Sequence, residues 1–180
     1  MGNIKVQQFM TVDGVVDAPV WTVAYPWTDA MLAGVGAITA SCSDILLGRS
    51  TYEMFAPAWS TRTAEDDPGA PFFNDTIKHV VTSRGADDLT WGPSRALEYS
   101  ASAVQQLKDD AEGDVYVSGS VQLVQALLAD RLVDELHLLT YPLALGEGLR
   151  LFADGTRLEL ALLSGTTYEN GVAHLVYGPA

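Results

Sequence analysis

Leu46-Leu47-Gly48-Arg49-Ser50-Thr51-Tyr52-Glu53 is the stretch that decides the fold of this chain. The run Ile45-Leu46-Leu47 is short and apolar at every position, as in a buried strand with layers on both faces. Ser50 and Glu53 have the spacing of a capping box, which starts a helix near Thr51. Between the two, Gly48 lets the backbone approach a ligand closely. The new helix presents free N–H groups and the positive end of its dipole. Arg49 adds a permanently charged planar donor suited to phosphate. By itself the segment fits either a binding site at a strand's carboxyl end or a structural turn with a solvated arginine.

The same alternation continues on both sides. Upstream, Ile4–Phe9 reads as a first strand, and Thr28–Ser43 as a helix rich in small residues with Cys42 in its tail. Downstream, Lys78–Thr82 and Asp114–Val117 read as strands, and Ser102 and Gln105 repeat the capping-box spacing. A helix over Val121–Leu128 follows, with Val121, Val124, Leu127 and Leu128 on one stripe. Residues 61–71, rich in Ala, Asp, Pro and Gly, read as a surface loop. The last third differs: Glu135–Tyr141, Arg157–Leu163 and Val172–Tyr177 read as strands without helices between them. The last two flank Glu169-Asn170-Gly171, a hairpin signal. The expected fold is therefore α/β, one domain over residues 1–180, with a mainly parallel twisted sheet flanked by helices and an antiparallel C-terminal edge.

Composition narrows the function. The 180 residues carry a formal net charge of -13, which repels nucleic acid over most of the surface. No apolar run reaches the roughly 20 residues of a membrane span, and the start of the chain lacks the layout of a signal peptide. Cys42 is the single cysteine, so no internal disulfide can form. The expectation is a soluble cytoplasmic protein that binds neither nucleic acid nor membrane. His79, His137 and His174 have no metal-ligand spacing, so no metal site is expected.

Two more junctions offer donors. Val80-Val81-Thr82-Ser83-Arg84 ends a strand in two hydroxyls and an arginine, a suitable set for a phosphate monoester. Tyr116-Val117-Ser118-Gly119-Ser120-Val121 places small residues between a strand and a helix, a modest phosphate cradle. It has neither the glycine spacing of a Rossmann fingerprint nor a Walker lysine. Each is weak alone. Together, all three lie at carboxyl ends of strands, where open α/β sheets gather ligands. Arg49 and Arg84, two of only ten basic residues, sit there in an acidic protein.

In order and content these segments resemble the dihydrofolate reductase-like superfamily, and within it the reductase domain of bacterial riboflavin biosynthesis enzymes. The resemblance rests on Thr11-Val12-Asp13-Gly14-Val15-Val16, on the opening stretch through Glu53, on Lys78–Ser83, on Val117-Ser118-Gly119-Ser120 and on Leu132–Leu136. It ends on Pro142–Phe152, which carries a Leu-Gly-x-Gly-x-x-Leu-Phe pattern. The resemblance implies NADPH as cofactor. Gly48, Arg49 and Thr51 would hold its phosphates, Thr82, Ser83 and Arg84 its 2′-phosphate, and Gly119, Ser120 and Val121 its pyrophosphate. Val12, Asp13 and Gly14 would lie beside the nicotinamide. It further implies a small heterocyclic substrate, such as 5-amino-6-(5-phosphoribosylamino)uracil, and a homodimer.

One departure from the superfamily matters. The acid that dihydrofolate reductases carry on the first helix falls near Met31 or Leu32, with Asp29 the nearest carboxylate. Asp13 and Asp29 are the candidate catalytic carboxylates. Trp21, Tyr25, Trp27 and Tyr52 could line an aromatic pocket for a flat ring. Three functions remain open: a reductase of a pyrimidine-like heterocycle, a dihydrofolate reductase with an atypical acid, and a non-catalytic dinucleotide-binding protein.

Overall fold

The strands alternate their side chains between two layers, and this sets the architecture. Ile45 and Leu47 pack with Tyr52, Phe73 and Tyr116 on one side of the sheet, while the intervening Leu46 packs with Val6, Val117 and Leu127 on the other. Burying such side chains contributes roughly 1.5–3 kcal/mol each. The computed structural model describes residues 1–17 and 19–180. Its strands are β1 (Ile4–Thr11), β2 (Cys42–Gly48), β3 (Ile77–Val81), β4 (Ser94–Leu97), β5 (Asp114–Ser118), β6 (Glu135–Tyr141), β7 (Leu160–Thr167) and β8 (Ala173–Pro179). They form one eight-stranded sheet in the order β4-β3-β2-β5-β1-β6-β8-β7. Every pairing from β4 to β6 is parallel, and β8 joins β6 and β7 antiparallel. The expected α/β fold with an antiparallel C-terminal edge is the observed one.

Helices α1 (Asp29–Thr39), α2 (Arg49–Trp59) and α3 (Ala70–Asp75) cover one face, and α4 (Ala101–Asp110) and α5 (Val121–Ala129) the other. Asn170 and Gly171 turn the β7–β8 hairpin, with Gly171 at φ +83°. The fully buried ammonium of Lys78 donates to the carbonyls of Phe73 and Thr76, each at 2.8 Å, and so closes the end of α3. Burial pushes this lysine down to about 8.

Several boundaries differ from expectation. Helix α1 stops at Thr39, and Cys42 opens β2 instead of trailing the helix. Helix α2 begins at Arg49, with Gly48 in the cap position and no side-chain cap. The Ser50/Glu53 capping box does not form, because Glu53 meets the Arg49 guanidinium at 2.7 Å, a stronger partner than a backbone N–H. In α4 the cap is Ser100, whose hydroxyl accepts from the Ala103 amide at 3.1 Å, and not Ser102. Strand β3 ends at Val81, one residue early, and β7 is shifted to Leu160–Thr167. Strand β4 and helix α3, which begins inside the expected loop, were not foreseen.

Candidate functional site

The carboxyl ends of β2, β5 and β1 open on a cleft of about 820 Å³. Two turns make its floor. Where β2 runs into α2, the Gly48 amide donates to the Ser120 hydroxyl at 2.9 Å. Where β5 runs into α5, the Ser120 amide donates back to the Thr51 hydroxyl at 2.9 Å. The Gln8 side-chain amide donates to the Gly119 carbonyl, fixing the second turn to β1. Gly119 and Ser120 are both left-handed, at φ +58° and +50°. A Cβ on Gly119 would lie 3.2 Å from the Thr51 methyl, so glycine is needed for both conformation and clearance. Neither α2 nor α5 has a side-chain cap at its N-terminus. Two sets of free helix N–H groups therefore meet in one cleft, the donor arrangement that a phosphate-bearing anion requires.

The rim is charged. The Arg49 guanidinium makes a two-pronged pair with Asp88, one contact at 2.8 Å, and a third contact to Glu53. These carboxylates push Arg49 further up, and Arg49 in turn holds Asp88 below the usual carboxylate range. Arg84 stands 3.9 Å from the same Glu53 with its side chain 70% exposed. The Thr82 hydroxyl accepts from the Arg84 amide at 3.0 Å, shaping the loop after β3.

The structure gathers Gly48, Arg49, Thr51, Gly119, Ser120 and Val121 on the cleft wall. Thr82, Ser83 and Arg84 do not line it; of the three, Arg84 approaches it through Glu53. Val12, Asp13 and Gly14 form the turn after β1, outside the lining, with Val12 62% exposed. The Asp13 carboxylate accepts from the Thr11 hydroxyl and from the amides of Gly146 at 2.7 Å and Leu145 at 3.3 Å. Those bonds, the Thr11 hydroxyl's above all, pull it down to about 2. Asp13 thus ties the 145–146 loop to β1. Asp29 is exposed at the start of α1 and also lies outside the cleft, as do Leu32 and the fully buried Met31. Of the four candidate aromatics, Tyr52 is buried against Trp91. Trp21 and Tyr25 pack edge-on against Tyr141, and Trp27 against Phe9. Of that cluster, Phe9 reaches the cleft.

Sequence reasoning missed Gln8, Phe9, Asp17, Tyr99 and Leu149 as lining residues. The signal for Gln8 was there: Gln7 and Gln8 are polar residues inside an apolar strand, and buried amides need a task. Gln7 accepts from the buried Tyr116 hydroxyl at 2.7 Å. Among the described residues, no group of three or more His, Cys, Asp or Glu could hold a metal ion, and no helix is long and apolar enough to cross a membrane.

Comparison with known proteins adds to this geometry. The family model of the RibD C-terminal domain matches residues 3–174. The uncharacterized protein YyaP of Bacillus subtilis (strain 168) is 35% identical over 136 residues, covering 74% of this chain and 72% of YyaP. Among solved structures, a Shewanella sp. PV-4 protein provisionally assigned to riboflavin biosynthesis superposes with a TM-score of 0.75 at 17% identity, covering 100% of this chain and 99% of that one. A pyrimidine reductase-like protein from Corynebacterium diphtheriae gives 0.64 at 11% identity, with 98% and 91% covered. The diaminohydroxyphosphoribosylaminopyrimidine deaminase/5-amino-6-(5-phosphoribosylamino)uracil reductase of Thermotoga maritima gives 0.69 at 14% identity, covering 99% of this chain and 57% of that one.

Proposed function

The chain belongs to the RibD C-terminal domain family, and from that premise we propose that it is an NADPH-dependent reductase of a small flat heterocycle related to the pyrimidine intermediates of riboflavin biosynthesis. The observation that carries this reading is the convergence of two uncapped helix N-termini, α2 and α5, on one cleft. Gly48, Thr51, Gly119, Ser120 and Val121 hold the cofactor's pyrophosphate, with Gly119 giving the backbone clearance. Arg49, Thr82, Ser83 and Arg84 face its 2′-phosphate from the rim. NADPH would supply the hydride when bound. The chain's own part is to position the two rings and to exclude water between Phe9, Val16 and Leu149.

Two of the open functions fare worse. Asp29, the carboxylate nearest the first-helix position held here by Met31 and Leu32, is exposed and outside the cleft lining, so it does not offer an acid to a pterin there. A purely binding role leaves the apolar end of the cleft without a task. The homodimer is also proposed: the edge strand β7 presents Leu162 and Leu163 more than half exposed, a surface that isolated chains seldom leave uncovered.

The test is cofactor binding followed by turnover. At about 100 times its dissociation constant, NADPH should stabilise the protein by roughly 2.7 kcal/mol, a melting shift of about 5–10 °C for this size. NADH should give less, and NADPH absorbance should fall on adding pyrimidine substrates. No shift at millimolar NADPH rejects the cofactor assignment; a shift with no turnover over a broad heterocycle panel favours the binding protein.

A further inference from the structure

A buried Tyr or Trp usually finds a partner for its polar tip, and elsewhere in this chain it does. The Tyr52 hydroxyl donates to the Trp91 carbonyl at 3.1 Å and accepts from the Trp91 amide at 2.7 Å. The Trp91 indole donates to the Asn74 side chain at 2.8 Å, and the Tyr116 hydroxyl to Gln7 at 2.7 Å. Two tips depart from this pattern. Among the described residues, the Tyr141 hydroxyl and the Trp21 indole N–H are shielded from solvent and have no hydrogen-bond partner. They belong to one cluster, with ring centres 5.0 Å apart. Edge-on packing suits the rings, but it leaves an O–H and an N–H without an oxygen or nitrogen acceptor. Unmade bonds of this kind are destabilising, and each calls for a reason.

The cluster adjoins the cleft. Phe9 lines the cleft wall and stands edge-on to the fully buried Tyr141, with ring centres 5.9 Å apart. Trp21 lies on the short 3-10 helix Pro19–Ala24, and its first residue, Pro19, is itself on the cleft wall. This helix is lightly held. None of its six residues is buried, and Val20 and Val23 are 78% and 85% exposed. Among the described residues its hydrogen bonds stay local, from the Thr22 hydroxyl to the Pro19 carbonyl at 2.6 Å and from the Tyr25 amide to the Thr22 carbonyl at 2.9 Å. Segments with few buried groups are the ones that open at low free energy.

Resting on the reductase reading, we infer that the substrate ring is taken up against Phe9 and Tyr141 when the Pro19–Ala24 segment opens and closes over it, and that the Tyr141 hydroxyl and the Trp21 indole donate to acceptors on the ring's edge. The substrate class this selects is a flat heterocycle with carbonyl or ring-nitrogen acceptors, as in a uracil. An aromatic ring without such acceptors gains stacking alone and leaves both donors unpaired. Tyr141 and Trp21 are therefore specificity-determining contacts.

The experiment uses the whole chain with saturating NADP⁺ and two probes, 5-aminouracil and aniline. Binding is read by calorimetry and tryptophan fluorescence, and the melting temperature is taken without probe. Aniline should bind at least roughly tenfold more weakly than 5-aminouracil. Tyr141→Phe should weaken 5-aminouracil by roughly three- to tenfold and leave aniline and NADP⁺ affinity as they are. It should keep or raise the melting temperature, because it deletes a donor that has no partner. A purely structural hydroxyl predicts the opposite pair, a lower melting temperature with unchanged 5-aminouracil binding, and that result overturns the inference. 5-Aminouracil should also change the tryptophan emission, and at saturation most of that change should vanish in Trp21→Phe; a change that survives there overturns uptake beside Trp21. Binding of neither probe by a protein that holds NADP⁺ overturns the inference and leaves the cofactor assignment in place. Failure to hold NADP⁺ or NADPH, with 5-aminouracil still bound and still dependent on Tyr141, removes the reductase reading instead and leaves the ring site standing.

Discussion

The floor and the rim of the cleft are built on opposite terms. Thr51 and Ser120 on the floor are neutral and less than a tenth exposed; the Ser120 amide donates to the Thr51 hydroxyl and the Gly48 amide to the Ser120 hydroxyl, each at 2.9 Å. The rim consists of Arg49, whose side chain is largely covered, and of Glu53, Arg84 and Asp88, whose side chains are half or more exposed; these charged groups satisfy one another. Buried neutral bonds fix geometry before any ligand arrives, so little ordering remains to be done on binding. Exposed ion pairs contribute little by themselves and are screened by salt. The floor therefore sets where a phosphate goes. At the rim a phosphate does not meet a free cation; it must take Arg49 over from Asp88.

The largest effect is expected on the floor. Gly119→Ala places a Cβ 3.2 Å from the Thr51 methyl at φ +58°. Left-handed strain of this kind costs on the order of 1–3 kcal/mol, and the turn can relieve it only by shifting the Ser120 amide off Thr51. NADPH affinity should fall by roughly a hundredfold on this accounting, with a lower melting temperature. Combining it with Thr51→Ser, which removes the offending methyl and keeps the hydroxyl, should restore part of both. Full NADPH affinity in Gly119→Ala, measured by titration calorimetry, would break the comparison, because the floor would then not be the phosphate site.

The second effect comes from a cluster outside the cleft lining and serves as its control. Glu135 and His137 on β6, His174 on β8 and Tyr168, just after β7, form a linear chain of side-chain hydrogen bonds of 2.9, 3.1 and 3.1 Å. Burial first, then the neighbouring His137, lowers His174 to about 4. A histidine depressed in the folded state binds its proton more readily when unfolded. Its contribution is therefore fully present above the unfolded value near 6.5 and is lost as pH falls towards 4. Allowing for partial exposure, the loss should be on the order of 1–2 kcal/mol. Urea titrations at pH 7 and pH 4.5 should show it, and His174→Gln should flatten the difference while leaving NADPH affinity at pH 7 intact. A drop in cofactor affinity in that variant would mean that the two regions are coupled.

How much of this was legible in the sequence follows from what each signal depends on. Strand-to-helix alternation is a local pattern, so β1, β2, β5, α5 and the hairpin at Asn170-Gly171 could be read directly. The same holds for the floor residues Gly48, Thr51, Gly119 and Ser120, since a junction is a local feature. What failed depended on partners distant in the chain. Glu53 leaves its capping role for Arg49 on the same helix, and Arg49 is itself held by Asp88, thirty-nine positions away. Asp13 looked like a nicotinamide neighbour, yet its carboxylate is occupied by loop amides more than a hundred residues on. Asp17 carried no pattern at all; it became visible once the cleft had a shape. Strand β4 is four residues long with two of them exposed, too short and too polar for an apolar run to mark it.

The smallest effect tests the rim directly. Asp88→Asn removes the carboxylate that occupies two guanidinium nitrogens of Arg49 while keeping a side chain of the same size. If a cofactor phosphate replaces Asp88 on Arg49, the parent protein must give up that pair in order to bind, and the variant need not. Exposed pairs of this kind have a modest effect, so NADPH affinity should rise by about two- to fivefold. The gain should be greatest at low salt and shrink as ionic strength screens the pair. Arg49 keeps Glu53 in the variant, so α2 should retain its first turn and the melting temperature should move little. A fall in NADPH affinity would reverse the assignment: Asp88 would then be positioning Arg49 for the phosphate, and the rim would be preorganised in the same sense as the floor. Measuring the affinity of Asp88→Asn at two salt concentrations separates these outcomes, because competition predicts a gain that salt erases and positioning predicts a loss at both.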